Sequence, residues 1–166
     1  MPELTTPRDL FLHELGDILY VEKQLANEVL PKLIGEVQDQ KFRRGLEKHR
    51  DETRTHITNV EQVFDELGER PMTEECIGFE GLKKEQQKLA DEASEDLIDL
   101  VNTGAAARTE HYEIAAYTGL IEMARALGEQ NAVSLLDENL KSEKQTLREV
   151  ESIEKTLRDE LKAATR

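Results

Sequence analysis

Tryptophan is absent from the 166 residues, and aromatic side chains of every kind make up only 4%. A core poor in rings has to be assembled from Leu, Ile, Val and Ala, the pattern of long helices meeting along narrow apolar seams. Cysteine occurs once, at Cys76. That excludes an internal disulfide framework and fits a reducing compartment. Basic residues are outnumbered, with 22 Lys and Arg against 36 Asp and Glu and a net charge of −14. Phosphate backbones are bound by basic patches, so no nucleic-acid partner is expected. No stretch reaches the roughly 20 apolar residues of a membrane span, and Met1 to Asp9 lacks the apolar run of a signal peptide. The expectation is a cytoplasmic protein with no membrane partner, folded as one domain over residues 1–166.

Few interruptions leave long elements. Thr6-Pro7-Arg8-Asp9 reads as a helix start: a capping hydroxyl, a proline suited to the first turn and an acid at the positive end of the dipole. Phe11, Leu15, Ile18, Leu25 and Val29 then recur at three- and four-residue steps, and Pro31 inside this series predicts a kink. Similar series predict helices over about 6–38, 40–67, 94–127 and 131–162, with a shorter one over 74–92. No alternating run calls for a strand. Short turns near residues 39 and 128 make two antiparallel hairpins, and the long connection between them makes the second and third long helices parallel. The expected fold is therefore all-α, a four-helix bundle with one crossover carrying a short fifth helix.

The informative acids stand where the periodicity calls for a hydrophobe. Glu22 interrupts the first apolar stripe and Glu143 the last, while Glu110 and Glu113 share a face with Ala106, Tyr117 and Leu120. The second long helix carries His49, Thr53 and His56 on its apolar stripe, with Glu52 at the margin. Glu22 lies 17 positions before residue 39 and His56 lies 17 after it; Glu113 and Glu143 lie 15 to either side of residue 128. A rise of about 1.5 Å per residue puts each pair at one height in its hairpin. Several inward carboxylates cost several kcal/mol each in desolvation and repel one another, so they require protons, paired cations or a metal. Lys and Arg are scarce on these stripes. A donor set rich in oxygen with one or two imidazoles suits iron or manganese, with zinc also able to enter, and paired carboxylates can bridge two ions.

Segments spread along the chain carry a resemblance. They include Leu10 to Leu15, Tyr20 to Leu25, His49 to His56, Cys76 to Leu82, Ser142 to Thr146 and, most specific, Glu110-His111-Tyr112-Glu113-Ile114-Ala115-Ala116-Tyr117. Together they resemble the YciF-like ferritin-like stress-protein family, related to rubrerythrin and other di-metal carboxylate proteins. The resemblance implies a bundle, a homodimer and a di-metal site, but no settled reaction. The di-metal pattern uses single Glu residues on two helices and Glu-x-x-His on the other two. Here Glu52 is followed by His56 at the fourth position, His49 precedes Glu52 by three, and Thr146 stands where a second His is expected after Glu143. The expected metal set is thus Glu22, His49, Glu52, His56, Glu110, Glu113 and Glu143, with Glu80, Glu85 and His111 as outlying candidates.

Two functions follow as expectations. One is a di-iron or di-manganese protein acting on peroxide or dioxygen under stress, in the manner of a peroxidase, a catalase or a ferroxidase. The other is a non-enzymatic structural or interaction protein whose site is vestigial or holds a structural metal. No phosphate-binding glycine loop or Cys-x-x-Cys pattern points elsewhere.

Overall fold

A computed structural model of the protein describes residues 4–164. Met1 to Glu3, the start of the stretch read for a signal peptide, lie outside the described residues. Helix α1 starts at Pro7 behind a reciprocal cap: Asp9 N donates to Thr6 Oγ1 at 3.1 Å, and Thr6 N donates to the Asp9 carboxylate at 2.8 Å. It runs as an α-helix over Pro7–Gln24, widens into a π-helical turn over Leu25–Val29, and resumes over Leu30–Glu36. The turn is the structural answer to Pro31. A proline lacks the N–H and crowds the carbonyl four residues back, and the wider turn, in which Leu30 N donates to Leu25 O, takes up that misfit.

Helix α2 spans Gln40–Glu66 and is capped by Asp39, whose carboxylate accepts from Phe42 N at 2.7 Å. Helix α3 covers Ile77–Glu92, α4 covers Ile98–Leu127 and α5 covers Gln130–Ala164; among the described residues there is no strand. The α4–α5 turn closes at Gly128, whose φ of +80° is a left-handed helix end that costs glycine nothing. Asp99 at the start of α4 accepts from Asp39 N at 2.7 Å and Gln38 N at 3.0 Å, locking the α1–α2 turn to the second hairpin.

The long helices pack in a ring, α1 on α2, α2 on α5, α5 on α4 and α4 on α1. Neighbours are antiparallel, and the crossover leaves α2 and α4 parallel across the diagonal. After α2 the chain passes close along α1, where Glu74 N donates to Gly16 O at 3.1 Å. A Cβ on Gly16 would meet Glu74 Cγ at 3.2 Å and Met72 O at 3.3 Å, so glycine is what lets the strap lie flat. Helix α3 then lies on α4 and hydrogen-bonds to α1 through Tyr20–Glu80 and Gln24–Lys83. Cys76 caps its start by accepting from Phe79 N at 3.3 Å.

Two apolar regions fill the bundle. Phe11, Leu15, Phe64, Leu120 and Leu136 are buried toward the α4–α5 turn, and Leu33, Phe42, Leu46, Val150 and Ile153 toward the α1–α2 turn. Burying a side chain of this size contributes about 1.5–3 kcal/mol. Between the two regions every long helix contributes polar residues.

Candidate metal centre

Each acid reaches the interior because its helix offers it in place of a core hydrophobe. Glu22 follows Leu15, Ile18 and Leu19 on the buried face of α1, and Glu143 sits between Leu140 and Leu147 on that of α5. Glu110 and Glu113 precede Tyr117 and Leu120 on α4, and His49, Thr53 and His56 form an inward row on α2. Glu22, Glu113 and Glu143 are 0% exposed, Glu110 3%, His49 4% and His56 2%.

The side chains gather into two groups. One is Glu22, His56 and Glu143; the other is His49, Glu110, Glu113 and Glu143, and in each a donor atom from every member lies within 4.8 Å of the rest. Glu143 belongs to both. His56 Nδ1 is 2.8 Å from Glu143 Oε1 and 3.4 Å from Glu22 Oε1, while His49 Nε2 is 3.2 Å from Glu110 Oε1. The equal heights read from the turns thus correspond to side chains that meet.

Burial sets the electrostatics. It pushes the carboxyls of Glu22 and Glu143 above the usual range, in part offset by His56, and holds Glu113 well above it, where Glu143, Glu22 and Glu110 add to the effect. Glu110 is raised by burial to about 8. His56 is also penalised by burial, but the two acids beside it outweigh that and carry the imidazole up to about 10.

A polar brace surrounds the Glu22 side. Tyr117 Oη donates to Glu22 Oε1. Asn139 Nδ2 donates to Tyr117 Oη at 3.0 Å and to the His56 carbonyl at 3.2 Å, and its Oδ1 accepts from Asn59 Nδ2 at 2.8 Å. Asn139 is fully buried. Its place three residues after Leu136 and four before Glu143 puts it on the inward stripe of α5, although a neutral amide there does not stand out in the sequence as a carboxylate does. On the other side Thr146 Oγ1 lies 3.4 Å from His49 Nδ1, so the threonine in the expected His position touches the second imidazole instead.

The remaining candidates stand apart. Glu52 belongs to neither group; its side chain is 31% exposed, with Lys48 Nζ at 3.5 Å. Glu80 accepts from Tyr20 Oη at 2.7 Å and Lys83 Nζ at 2.9 Å, and Glu85 pairs with Arg108 at 3.2 Å. His111 faces solvent near Glu151.

Whether a cation fits can be judged from the atoms left over. Glu22 Oε2, Glu110 Oε2, both oxygens of Glu113 and of Glu143, His49 Nε2 and His56 Nδ1 are buried and complete no hydrogen bond. The two imidazole nitrogens lie near carboxylate oxygens, but not along hydrogen-bonding directions. Buried polar atoms are ordinarily satisfied, and eight converging orphans of carboxylate and imidazole type fit a cluster able to hold metal.

A helical bundle with a crossover helix and an inward-facing Glu/His cluster defines the class. Within it, residues 6–162 match the domain of unknown function DUF892, and the chain belongs to that family. It is 33% identical over 145 residues to protein YciF of Escherichia coli, covering 86% of this chain and 87% of that protein. The solved structure of that protein, described as a stress protein, superposes with a TM-score of 0.86 at 32% identity over 93% of this chain and 98% of that one. YcfI of Rhodopseudomonas palustris, described as a candidate structural protein, superposes with a TM-score of 0.87 at 36% identity, over 90% of this chain and 96% of that one. A protein of Xanthomonas campestris shares the fold at 18% identity and a TM-score of 0.75, over 96% and 99% of the two chains.

Proposed function

We propose that this protein is a ferritin-like metalloprotein whose inward Glu/His cluster holds two iron or manganese ions and serves redox chemistry on peroxide or dioxygen in a stress response. The supporting observation is the pair of ligand groups joined at Glu143. One ion would be held by Glu22 and His56, the other by His49, Glu110 and Glu113, with Glu143 shared. An oxygen-rich set with one imidazole per ion suits iron or manganese better than softer sites do, and zinc is also admitted by these ligand types. Such ions supply one-electron steps that no side chain of the cluster offers.

The chain's own residues have definable tasks. Tyr117 and Asn139 orient Glu22 and hold the backbone behind His56, as partners of ligands do in metal sites. The apolar layers on either side restrict water. In the metal-free protein burial raises the Glu110 carboxyl to about 8, so it holds a proton beside His49 that metal binding would displace. The same reading takes the protein as a cytoplasmic homodimer forming one domain over residues 1–166. Glu52 remains a peripheral contributor in it, close enough for its charge to disfavour the ionised form of Glu110.

Metal analysis of protein expressed with iron and manganese and purified without chelator tests the reading. About one to two ions per chain are expected, falling toward zero in Glu143→Gln. A metal-free product from supplemented cells sinks it. The description of YcfI favours a second reading, a structural protein whose metal only braces the bundle. A metal-loaded sample that neither consumes peroxide nor oxidises ferrous ion selects that one.

A further inference from the structure

Next to the His49 group lies a cavity of about 290 Å³ that the metal chemistry does not use. Its walls are buried hydrophobes: Leu25 and Leu30 of α1, Leu46 of α2, Phe79 of α3, and Val150 and Ile153 of α5. The π-helical turn of α1 forms part of the wall through Leu25 and Val29. At the inner end stand His49 and Thr146, 4% and 5% exposed, with His49 Nε2 completing no hydrogen bond. The outer end is polar. Lys32, Lys84 and Gln87 are solvent-exposed there, with Lys83 half-buried beside them. Lys83 pairs with Glu80, whereas Lys84 makes no hydrogen bond or ion pair among the described residues.

We infer that this cavity is a binding site for an aliphatic carboxylic acid, its chain lying between α1, α2, α3 and α5 and its carboxylate at the lysine-bearing mouth. Size argues for a small molecule. An apolar cavity of about 150 Å³ accepts benzene, and this one is about twice as large, whereas a docking helix is about 10 Å across. Charge argues for an acid. Of the three lysines lining the opening, Lys32 pairs with Glu36 and Lys83 with Glu80, which leaves Lys84 without an ion pair among the described residues in a chain carrying net −14. The walls suit a hydrocarbon chain, since they are apolar from the mouth to His49, with Phe42 and Phe79 among the aliphatic side chains. Ligand sites of this kind are apolar with a few polar groups placed at their ends. As the substrate site of the centre this rests on the metal reading; as a binding site it stands on the cavity alone.

Displacement of the fluorescent probe 1-aminoanthracene by decanoate, decanol and decylamine tests it on the full chain, before and after chelator treatment, with metal content measured on the same samples. Decanoate should displace the probe saturably at one site per chain and bind more tightly than decanol, with decylamine weakest. Gly45 lines the cavity, and a Cβ there would meet nothing nearer than Ile153 Cδ1 at 3.9 Å. Gly45→Leu should therefore fill the space and weaken decanoate and decanol alike by about tenfold or more. Ala106→Leu, entering from α4, gives the same result if the first variant folds poorly. Lys84→Glu should weaken decanoate by about fivefold and leave decanol unchanged. Absence of saturable binding, indifference to both filling variants, or tightest binding by decylamine overturns the proposal. So does a change of oligomeric size in place of probe affinity, which would assign the opening to a second copy. Metal absent with decanoate bound sinks the metal reading alone; metal bound without decanoate binding sinks this proposal alone.

Discussion

His49 and His56 lie seven residues apart on one face of α2, both almost fully buried, yet they serve unlike surroundings. In the metal-free protein His56 stands between two acids that make it a cation at neutral pH, and the Tyr117–Asn139 brace completes its neighbourhood. The Glu22 side is thereby largely neutralised from within. His49 faces Glu110, with Glu113 and Glu143 close by, and an apolar cavity opens beyond it. Three acids there meet one imidazole and no Lys or Arg. Equal residue types thus give one side that is braced without metal and another whose carboxyls must stay protonated or receive an outside cation.

Removing the braced side's cation should do most damage. His56→Ala leaves Glu22 and Glu143 buried without a counter-charge, and chemical denaturation of the metal-free protein should show a loss of about 3–5 kcal/mol. A loss below about 1 kcal/mol would mean that the acids there are already neutral and that the contrast is false.

The open side should reveal itself through pH. Glu110 titrates at about 8 when folded and metal-free, against an ordinary 4.5, because burial disfavours its charge. The native state then holds a proton that the unfolded chain has released. That contribution is fully present below the unfolded value and is lost as pH rises through the folded one. Thermal melts of chelator-treated protein should fall in Tm from about pH 5 to 8, and Glu110→Gln should flatten the decline. Bound metal, which needs the ionised carboxylates, should suppress it. An identical slope in Glu110→Gln would remove the acid from the account.

Tyr117→Phe sharpens the comparison from the braced side, deleting only the hydroxyl that donates to Glu22 and accepts from Asn139. A cost of about 1.5–3 kcal/mol is expected in denaturant titrations. The smallest effect belongs to Glu52, already partly in water and near Lys48. Glu52→Gln should change stability by no more than about 0.5 kcal/mol and leave metal content intact. A large loss of metal would place Glu52 among the ligands.

Much of this arrangement was legible in the chain because a helix is regular. Its fixed rise and turn convert a residue number into a height and a direction, which is why Glu22 and His56, counted from one turn, and Glu113 and Glu143, counted from another, emerge as neighbours. Glu52 shows the limit. It sits one step off the His49–Thr53–His56 row, and whether such a marginal position faces in or out depends on how neighbouring helices rotate. Asn139 was visible on its stripe but carries no charge, so nothing in the pattern marked it as unusual. Pro31 announced a disturbance without saying that a π-helical turn would absorb it.

By itself the sequence determined the helices, the hairpins, the parallel pair and the height at which the acids cluster, because these depend on local geometry and on periodic burial. Only the tertiary structure decided that Glu143 joins both groups, that His56 Nδ1 lies against two carboxylates while His49 Nε2 lies against one, and that α3 lies over an apolar cavity beside His49. Those outcomes depend on the rotation of each helix about its axis and on where a crossover settles. Contacts between distant residues fix both, and no local pattern encodes them.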